Sequence, residues 1–321
     1  MSLVAVLTNP KSTRNLSSLE KVREVVENHN GIFHYEIADV SDIPLALSRF
    51  ADFGADLLVI NGGDGTIQAT FSALITRCPF DRMPAVAILP AGKTNMIAED
   101  FGVTSARPHQ YLRQLLDHVS KSGFEKNIEE RHLLKVEGIP GMPALYGMFM
   151  GTAGIVEGIR VCRRRIYPLG LPNFLAHTAA VGLIAISALT GGLGTGGNPS
   201  PIHVHLDDRG MVMGRYFVVI ATTLDRLILG FRPFSKDGHG PVKFLSVENS
   251  PLTVLRSLWL AVTGGMKKKT IPGLNSRNVS KIKLKLDAAV TLDGELYEMK
   301  NGGEIHISSD EKLRFVHFGR L

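Results

Sequence analysis

Hydrophobic and polar positions over the first 120 residues alternate between two periods. Short apolar runs, typical of buried strands, precede stretches in which apolar positions recur every three or four residues, as in helices. Because the runs are apolar on both faces, they predict a parallel sheet covered by helices on both sides. The predicted strands are Leu3–Leu7, Ile32–Ile37, Leu57–Ile60 and Ala85–Leu89. The predicted helices are Leu16–Asn28, Pro44–Phe53, Ile67–Thr76, Asn95–Phe101 and Arg107–Ser120.

The pattern changes near residue 128 to shorter and more closely spaced strand-like runs. Lys281–Leu286 alternates strictly between lysine and apolar residues, so one face of that strand meets water. Asp207–Gly210 has the composition of a hairpin turn. We therefore predict an α/β domain over residues 1–128 and a β-sandwich over 129–307, with 308–321 able to pack back on the first domain. The other predicted strands are His132–Glu137, Leu145–Met150, Ile202–Leu206, Met211–Thr222, Val242–Val247, Glu304–Ile307 and Leu313–Phe318.

Two helical segments, Phe174–Leu189 and Thr253–Val262, interrupt the second half of the chain. The first follows the basic cluster Arg163–Arg165, and the second precedes the basic cluster Lys267–Lys269. The uninterrupted apolar core of the first, Ala179–Leu189, has 11 residues, short of the roughly 20 that span a bilayer. A buried helix and a helix lying against anionic headgroups both remain open.

Composition narrows the class of protein. The 321 residues exceed the size at which a single core stops growing, which is about 250–300 residues, so two domains fit the length. A hydrophobic content of 44% with 21% charged residues excludes wholesale disorder and a fibre. Two cysteines, Cys78 and Cys162, exclude a disulfide scaffold and a four-cysteine zinc site. No basic stretch precedes the first apolar run, so we expect no signal peptide and a cytoplasmic setting.

Basic residues outnumber acidic ones by 36 to 30, for a net charge of +6 and a pI of about 9.3. This excess fits an anionic partner, such as a nucleotide, a phosphorylated substrate or an acidic membrane. The chain carries no nucleic-acid motif. Its sequence leaves the oligomeric state open, a homodimer included.

The strongest local motif is Asn61-Gly62-Gly63-Asp64-Gly65-Thr66, placed between an apolar strand and a helix. Three glycines leave the backbone bare, so a phosphate can approach its N–H groups and the helix N-terminus beyond them. A carboxylate at Asp64 would repel phosphates unless it holds Mg²⁺ or accepts a proton. An ordinary tight turn needs fewer glycines than this.

A second loop, Pro90-Ala91-Gly92-Lys93-Thr94-Asn95, also lies between a strand and a helix. It is not a P-loop, because that motif needs glycine where Ala87 stands and Pro90 lacks a backbone donor. A phosphate-facing loop is still compatible with the sequence. Lys93 would contact the phosphate as a point charge or remain a solvated lysine.

Two further motifs are weaker. Gly192–Gly197 satisfies the dinucleotide pattern, but it follows a helix and runs into prolines, so we interpret it as a loop. Asp293-Gly294-Glu295 lies between two strand-like runs and, taken alone, is an ordinary hairpin turn.

Taken in order, GlyGlyAspGlyThr, ProAlaGlyLysThrAsn and AspGlyGlu resemble the diacylglycerol kinase catalytic-domain family, which includes soluble bacterial lipid kinases and the sphingosine and ceramide kinases. Thr8–Ser12 looks like the Asn-Pro turn after that family's first strand. Phe149–Gly158 is similar to the segment that opens its second domain. The glycine-aspartate motif is also similar to that of the NAD kinases.

The resemblance implies a nucleotide-binding α/β domain, a β-sandwich, and an active site in the cleft between them. It implies an ATP-dependent lipid kinase, a phosphotransferase whose acceptor is the hydroxyl of a lipid such as diacylglycerol, ceramide or a sphingoid base, working at an anionic membrane surface. Asp293 is then the general base with Glu295 beside it, or Asp64 takes that role. Asp64 and, by a weaker likeness, Asp237 are the implied Mg²⁺ residues. The implied ATP-binding residues are Asn9, Gly62, Gly63, Asp64, Gly65, Thr66, Gly92, Lys93, Thr94 and Asn95.

The chain also departs from the family pattern. Lys93 and Met96 alter the second loop, Ala69 replaces a glutamate, and Val156 stands where an acidic residue is expected, with Glu157 one place on. These departures affect the expected substrate contacts more than the expected fold. An NAD kinase-like enzyme with a soluble substrate and a non-catalytic nucleotide- or lipid-binding member are the two alternatives.

Overall fold

The computed structural model describes residues 2–103, 107–161, 163–164, 200–207, 209–227, 230–263 and 271–320. The chain divides into two units, one formed by Met1–Leu133 with Glu311–Leu321 and the other by Leu134–Asp310. The division falls a few residues beyond the position expected from the sequence. The strand before it pairs with the strand near the C-terminus, so both belong to the first unit.

The first unit is built on a six-stranded sheet in the order β2-β1-β3-β4-β18-β5. All neighbouring strands are parallel except β5, which runs antiparallel to β18. Every residue of β1, β3 and β4 is buried, as the doubly covered sheet requires. The predicted parallel α/β fold is confirmed. The strands are β1 (Val4–Thr8), β2 (Ile32–Glu36), β3 (Leu57–Gly62), β4 (Ala85–Pro90), β5 (Ile128–His132) and β18 (Lys312–Val316).

The helices of this unit follow the predicted positions to within a few residues. Pro44 lies in the first turn of α2, where its missing N–H costs nothing. The helix after β4 begins at Met96 and not at Asn95, because Asn95 adopts a left-handed backbone with φ of 55°. The helices are α1 (Asn15–Glu27), α2 (Ile43–Asp52), α3 (Asp64–Arg77), α4 (Met96–Asp100) and α5 (Pro108–Ser122).

The second unit contains two antiparallel six-stranded sheets, ordered β10-β9-β14-β17-β6-β7 and β13-β12-β11-β8-β15-β16. Both sheets contribute to one hydrophobic core that includes Val136, Leu284, Val219 and Phe244, so the predicted sandwich is confirmed. The first sheet comprises β6 (Leu134–Glu137), β7 (Leu145–Gly147), β9 (Ile202–Leu206), β10 (Val212–Gly214), β14 (Ile282–Leu286) and β17 (Gly303–Ser308). The second comprises β8 (Phe149–Ala153), β11 (Tyr216–Thr222), β12 (Val242–Glu248), β13 (Leu274–Val279), β15 (Val290–Leu292) and β16 (Glu295–Tyr297).

Three predicted strands each consist of two strands in the structure. Leu145–Met150 changes sheet at Met148, and Met211–Thr222 changes sheet at Arg215. His132–Glu137 is divided at Leu133, where the chain leaves the first unit. Leu145–Met150 is buried on both sides of its break, so periodicity does not reveal the break. Val212 and Met213 are exposed but apolar, so the pattern continues across Arg215 as well.

Two helices of the second unit are described, α6 (Gly154–Val161) and α7 (Pro251–Thr263). The sequence did not predict α6, which contains two glycines. No helix in the described ranges is long and apolar enough to cross a membrane. Four predicted features lie outside the described residues, namely Phe174–Leu189, Gly192–Gly197, Lys267–Lys269 and Arg165.

Candidate functional site

The loops singled out in the first half of the sequence meet at one edge of the parallel sheet. Thr8 pairs with Asn61 and Gly62 pairs with Pro90, so β1, β3 and β4 end side by side. Loops at the carboxyl ends of parallel strands are where ligands bind in open α/β sheets. The register therefore brings the Asn9, Gly63 and Gly92 loops together.

Gly63 and Gly92 come into backbone contact. A Cβ atom on Gly92 would lie 3.0 Å from the Cα of Gly63, and one on Gly63 would lie 3.5 Å from the Cα of Gly92. The close approach of the two loops thus depends on the absence of side chains at both positions.

The N–H groups of these two glycines are already used inside the protein. Gly63 donates to Oγ of Ser12 at 3.1 Å, and Gly92 donates to Oδ1 of Asn95 at 2.7 Å. The sequence-based expectation that glycine N–H groups face a phosphate therefore needs correction at these two positions. The glycines bring the loops together, and an anion at this edge would need other donors.

The N-terminus of α3 supplies such donors. Gly63 is the N-cap of this 14-residue helix and gives it no side-chain cap. The first N–H groups of a helix lack intrahelical partners, and its dipole favours negative charge there. Asp64 and Gly65 are half-buried in this first turn, so they lie where a phosphate would approach.

Asn9 holds the first loop against α3. Its Nδ2 donates to Oγ1 of Thr66 at 2.8 Å, while its Oδ1 accepts from the Lys11 N–H at 3.0 Å. Its own N–H donates to the carbonyl of Asn61 at 2.9 Å. Asn9 and the buried Thr66 were predicted as direct nucleotide contacts, but in this structure they hold the two loops in place.

The sequence did not single out two residues of this site, Ser12 and Asn15. Ser12 accepts the Gly63 N–H, and the fully buried Asn15 donates from Nδ2 to the carbonyls of Asn9 at 2.8 Å and Asn61 at 3.1 Å. Asn15 bridges the loops after β1 and β3 in this way. The signal in the sequence was an asparagine at the first position of a helix, where a side chain commonly bonds to nearby backbone.

The second loop is held by its own asparagine and by the first loop. Asn95 bonds to Gly92 across the turn, and the Arg14 N–H donates to the carbonyl of Ala91 at 3.0 Å. Lys93 is exposed and Thr94 is half-buried. A role for Lys93 in phosphate binding stays a prediction.

The residues around Asp64 fit Mg²⁺ that arrives with phosphates. Among the described residues, no group of three His, Cys, Asp or Glu side chains could hold a metal ion. Mg²⁺ usually takes one or two carboxylates, with phosphate oxygens and water completing its shell. One carboxylate in the first turn of α3, where phosphates are favoured, matches that donor set.

Asp293 lies in the two-residue turn between β15 and β16. Leu292 pairs with Glu295, and both turn residues have positive φ, 45° at Asp293 and 90° at Gly294. This is the type I′ geometry for which Asp-Gly is favoured, so the predicted hairpin is confirmed.

The Asp293 side chain folds inward and is only 2% exposed. Its carboxylate accepts the Phe149 N–H at 2.8 Å and the Met148 N–H at 3.0 Å, at the point where the chain changes sheets. The Asp293 N–H returns a bond to the Phe149 carbonyl at 2.8 Å. A Cβ on Gly147 would collide with Oδ2 of Asp293, so glycine is required there.

Two other residues that the sequence singled out, Glu295 and Arg163, lie at this hairpin. Glu295 is exposed, and Nη2 of Arg163 donates to the carbonyl of Gly294 at 2.9 Å. Burial, with smaller contributions from the carboxylates of Glu295 and Asp293, raises the pKa of the Tyr297 hydroxyl.

Asp237 lies in the loop before β12. Its Oδ2 accepts the Ser235 hydroxyl at 2.6 Å, and its carbonyl accepts the Asn278 N–H at 2.6 Å. These contacts give Asp237 a structural role in its loop. Its predicted part in Mg²⁺ binding stays a prediction.

Comparison with known proteins finds a family match within the first unit. Residues 3–123 match the diacylglycerol kinase catalytic domain. Lipid kinase YegS of Escherichia coli K12 is 33% identical over 101 residues, which are 32% of this chain and 33% of that protein. Probable lipid kinase YegS of Shigella boydii is 32% identical over the same length. The chain thus spans about a third of the length of these curated relatives.

The fold extends the likeness over nearly the whole chain. A putative diacylglycerol kinase from Bacillus anthracis superimposes with a TM-score of 0.69 over 98% of this chain and 97% of that one, at 14% identity. At that identity the likeness shows a shared fold. The resemblance that the sequence motifs indicated is confirmed over residues 3–123, which match the diacylglycerol kinase catalytic domain.

Proposed function

We propose that the protein is an ATP-dependent lipid kinase that transfers the γ-phosphate of ATP to the hydroxyl of a membrane lipid. The observation that carries the proposal is the meeting of three loops, after β1, β3 and β4, at the uncapped N-terminus of α3. The matched catalytic domain and the relatives named as lipid kinases support the same reaction.

In this proposal the first turn of α3 binds phosphate oxygens through backbone N–H groups. Gly62, Gly63 and Gly92 keep the backbone bare enough for that approach, while Asn9 and Asn95 fix the loops. Lys93 and Thr94 border the same loop and would contact the outer phosphates. Phosphoryl transfer relies on such positioning and charge neutralisation more than on covalent chemistry.

Asp64 would hold Mg²⁺, whose charge neutralises the phosphate oxygens. The carboxylate of Asp64 has a second possible use, as the base that takes the proton of the acceptor hydroxyl. We assign it to Mg²⁺, because a carboxylate in the first turn of a helix that binds phosphates needs a cation to offset repulsion.

Asp293 is our proposed general base. It would take the proton of the lipid hydroxyl as that oxygen bonds to the γ-phosphorus and the bond to ADP breaks. The Met148 and Phe149 N–H groups keep the carboxylate in one orientation. Glu295, two residues on, would orient the acceptor.

The acceptor class is an apolar molecule with a hydroxyl near its tail, such as diacylglycerol, ceramide or a sphingoid base. We place the protein at the inner face of the membrane, since such a substrate resides in a bilayer and ATP is in the cytoplasm. A soluble acceptor such as NAD is the second candidate, because the glycine-aspartate loop also resembles that of the NAD kinases. A homodimer stays a prediction.

The test is transfer of label from γ-labelled ATP with Mg²⁺ to a total lipid extract, followed by solvent extraction and identification of the labelled product. We expect label in a lipid phosphate, and its loss in the Asp64→Asn variant. Label that appears only on added NAD would replace the lipid proposal with the soluble one. ATP binding without transfer to any lipid class would identify a non-catalytic member.

A further inference from the structure

Among the positions of α7 whose burial is described, those that face solvent are the more apolar ones. Its buried positions include Thr253, at 9% exposure, and Ser257, at 7%, together with Val254 and Leu260. Its solvent side carries Leu252, Leu255 and Trp259, which are 56%, 42% and 70% exposed. Surface helices of water-soluble domains normally show the opposite arrangement, with polar residues outside.

The exposed residues form one continuous face. Leu252, Leu255 and Trp259 are spaced three and four residues apart, which places them on the same side of an α-helix. Arg256 is also exposed and follows Leu252 by four residues, so it lies beside them. We call Leu252, Leu255, Arg256 and Trp259 the α7 outer face. Contiguous exposed apolar residues of this kind mark binding surfaces.

Charge favours an anionic bilayer as the partner. From Pro251 to Pro272 the sequence contains four basic residues, Arg256 and Lys267–Lys269, and no acidic residue. Tryptophan prefers the boundary between headgroups and acyl chains, and arginine can bury its stem there while its charge stays in water. With 13 residues, α7 is about 20 Å long at 1.5 Å per residue, so it can lie on a bilayer but not cross one.

We propose that the α7 outer face docks the protein on an anionic membrane, with Leu252, Leu255 and Trp259 inserted at the level of the headgroups. This inference rests on the proposed function, since a lipid kinase must reach a substrate that stays in the bilayer. It identifies the helix that contacts the membrane and the charge of the lipids that this contact favours.

Trp259 allows a direct test, because it is the only tryptophan in the chain. The full-length protein is titrated with vesicles of equal parts phosphatidylglycerol and phosphatidylcholine, and tryptophan emission is recorded. We expect a blue shift on binding and quenching by lipids brominated near the headgroup. Pure phosphatidylcholine vesicles should bind at least about tenfold more weakly, since each basic residue near an anionic surface contributes about 1 kcal/mol.

The matched variants are Leu252→Glu and Leu45→Glu. Leu45 lies in α2 of the other unit, has 53% exposure, and also falls in the first turn of its helix, where glutamate is tolerated. Leu252→Glu should weaken vesicle binding at least about tenfold, because one leucine side chain no longer transfers into the membrane. Leu45→Glu should leave binding unchanged.

Three results would overturn the inference. The first is equal binding by the Leu252→Glu variant and the wild type. The second is tryptophan emission in the free protein that is already blue-shifted and protected from iodide, which would mean that another part of this chain covers the face. The third is equal binding to neutral and anionic vesicles.

The outcome is separable from that of the proposed function. Vesicle binding requires no turnover, so a protein that docks through α7 but labels no lipid would contradict only the kinase proposal. Conversely, the protein could phosphorylate a detergent-dispersed lipid while Leu252→Glu leaves its vesicle binding unchanged. That result would contradict only the docking proposal.

Discussion

Asp293 combines a structural contact with a proposed chemical role, and two substitutions separate them. Asp293→Ala removes the acceptor for the buried N–H groups of Met148 and Phe149. Asp293→Asn keeps a side-chain carbonyl that can still accept one of these N–H groups. Asparagine also tolerates the positive φ of 45° at this turn.

The structure gives the expected magnitudes. In the alanine variant two buried N–H groups lose their side-chain acceptor at about 1–3 kcal/mol each, so the free energy of unfolding should fall by about 2–6 kcal/mol. The asparagine variant keeps one acceptor and loses the other, so its free energy of unfolding should fall by about half as much, roughly 1–3 kcal/mol. Its turnover should nevertheless fall by about 10²–10⁴-fold, the usual contribution of a general base.

The assay pairs guanidinium unfolding, followed by circular dichroism, with ATP-dependent labelling of a dispersed lipid. ATP affinity is measured in parallel and should not change in Asp293→Asn, because the proposed ATP-binding residues all lie in the first unit. Gly147→Ala serves as a further variant, since its Cβ would displace the carboxylate without changing the charge.

Near-normal turnover in Asp293→Asn would remove Asp293 from the base role and shift that role to Asp64. An alanine variant as stable as the asparagine variant would refute the reasoning about the two N–H groups.

Three further predictions concern the first unit. Gly92→Ala places a Cβ 3.0 Å from the Cα of Gly63, and overpacking of about 1–3 kcal/mol should raise the KM for ATP about tenfold in a kinase assay. The Asp100 carboxylate is 1% exposed and lies 2.7 Å from Nη2 of Arg131. Arg131→Met removes this cation, so the free energy of unfolding measured in guanidinium should fall by about 3–5 kcal/mol. Burial lowers the pKa of His34 in the folded protein. Below the pKa of the unfolded state, about 6.5, the unfolded chain therefore binds a proton that the folded protein does not, and the free energy of unfolding falls as pH falls. His34→Gln should reduce that slope in unfolding measurements made across this pH range.

Each of these predictions has a control. Gly210→Ala meets no atom within 4 Å and should leave the KM for ATP unchanged. Adding Asp100→Leu to Arg131→Met should recover most of the lost stability, since a buried ion pair can be replaced by apolar residues. A pH slope that is identical with and without His34 would show that its burial is not coupled to folding.

The regular parts of the fold could be predicted because local pattern and tertiary burial agree there. β1, β3 and β4 are apolar at every position but their ends, and the sheet indeed buries both of their faces. The break at Met148 could not be predicted, since the strands on both sides of it are buried. The break at Arg215 could not be predicted either, since Val212 and Met213 before it are apolar although they are exposed.

The residue types of the site were predictable, but the role of each residue was not. Glycines between a strand and a helix indicate a phosphate loop. Which N–H groups remain available depends on Ser12 and Asn95, whose bonds to Gly63 and Gly92 are set by tertiary structure. The inward fold of Asp293 was equally hidden, since an Asp-Gly turn normally exposes its aspartate. Its partners, Met148 and Phe149, are 144 residues or more away in sequence.

Hydrogen–deuterium exchange with and without a non-hydrolysable ATP analogue and Mg²⁺ tests the central claim most directly, because it reports where the nucleotide binds. We predict slower exchange in the loops at residues 9–14 and 91–95 and in the first turn of α3, from Asp64 to Ile67. Saturating nucleotide that leaves these three segments unchanged, or that protects only other elements, would contradict the assignment of this sheet edge as the ATP site.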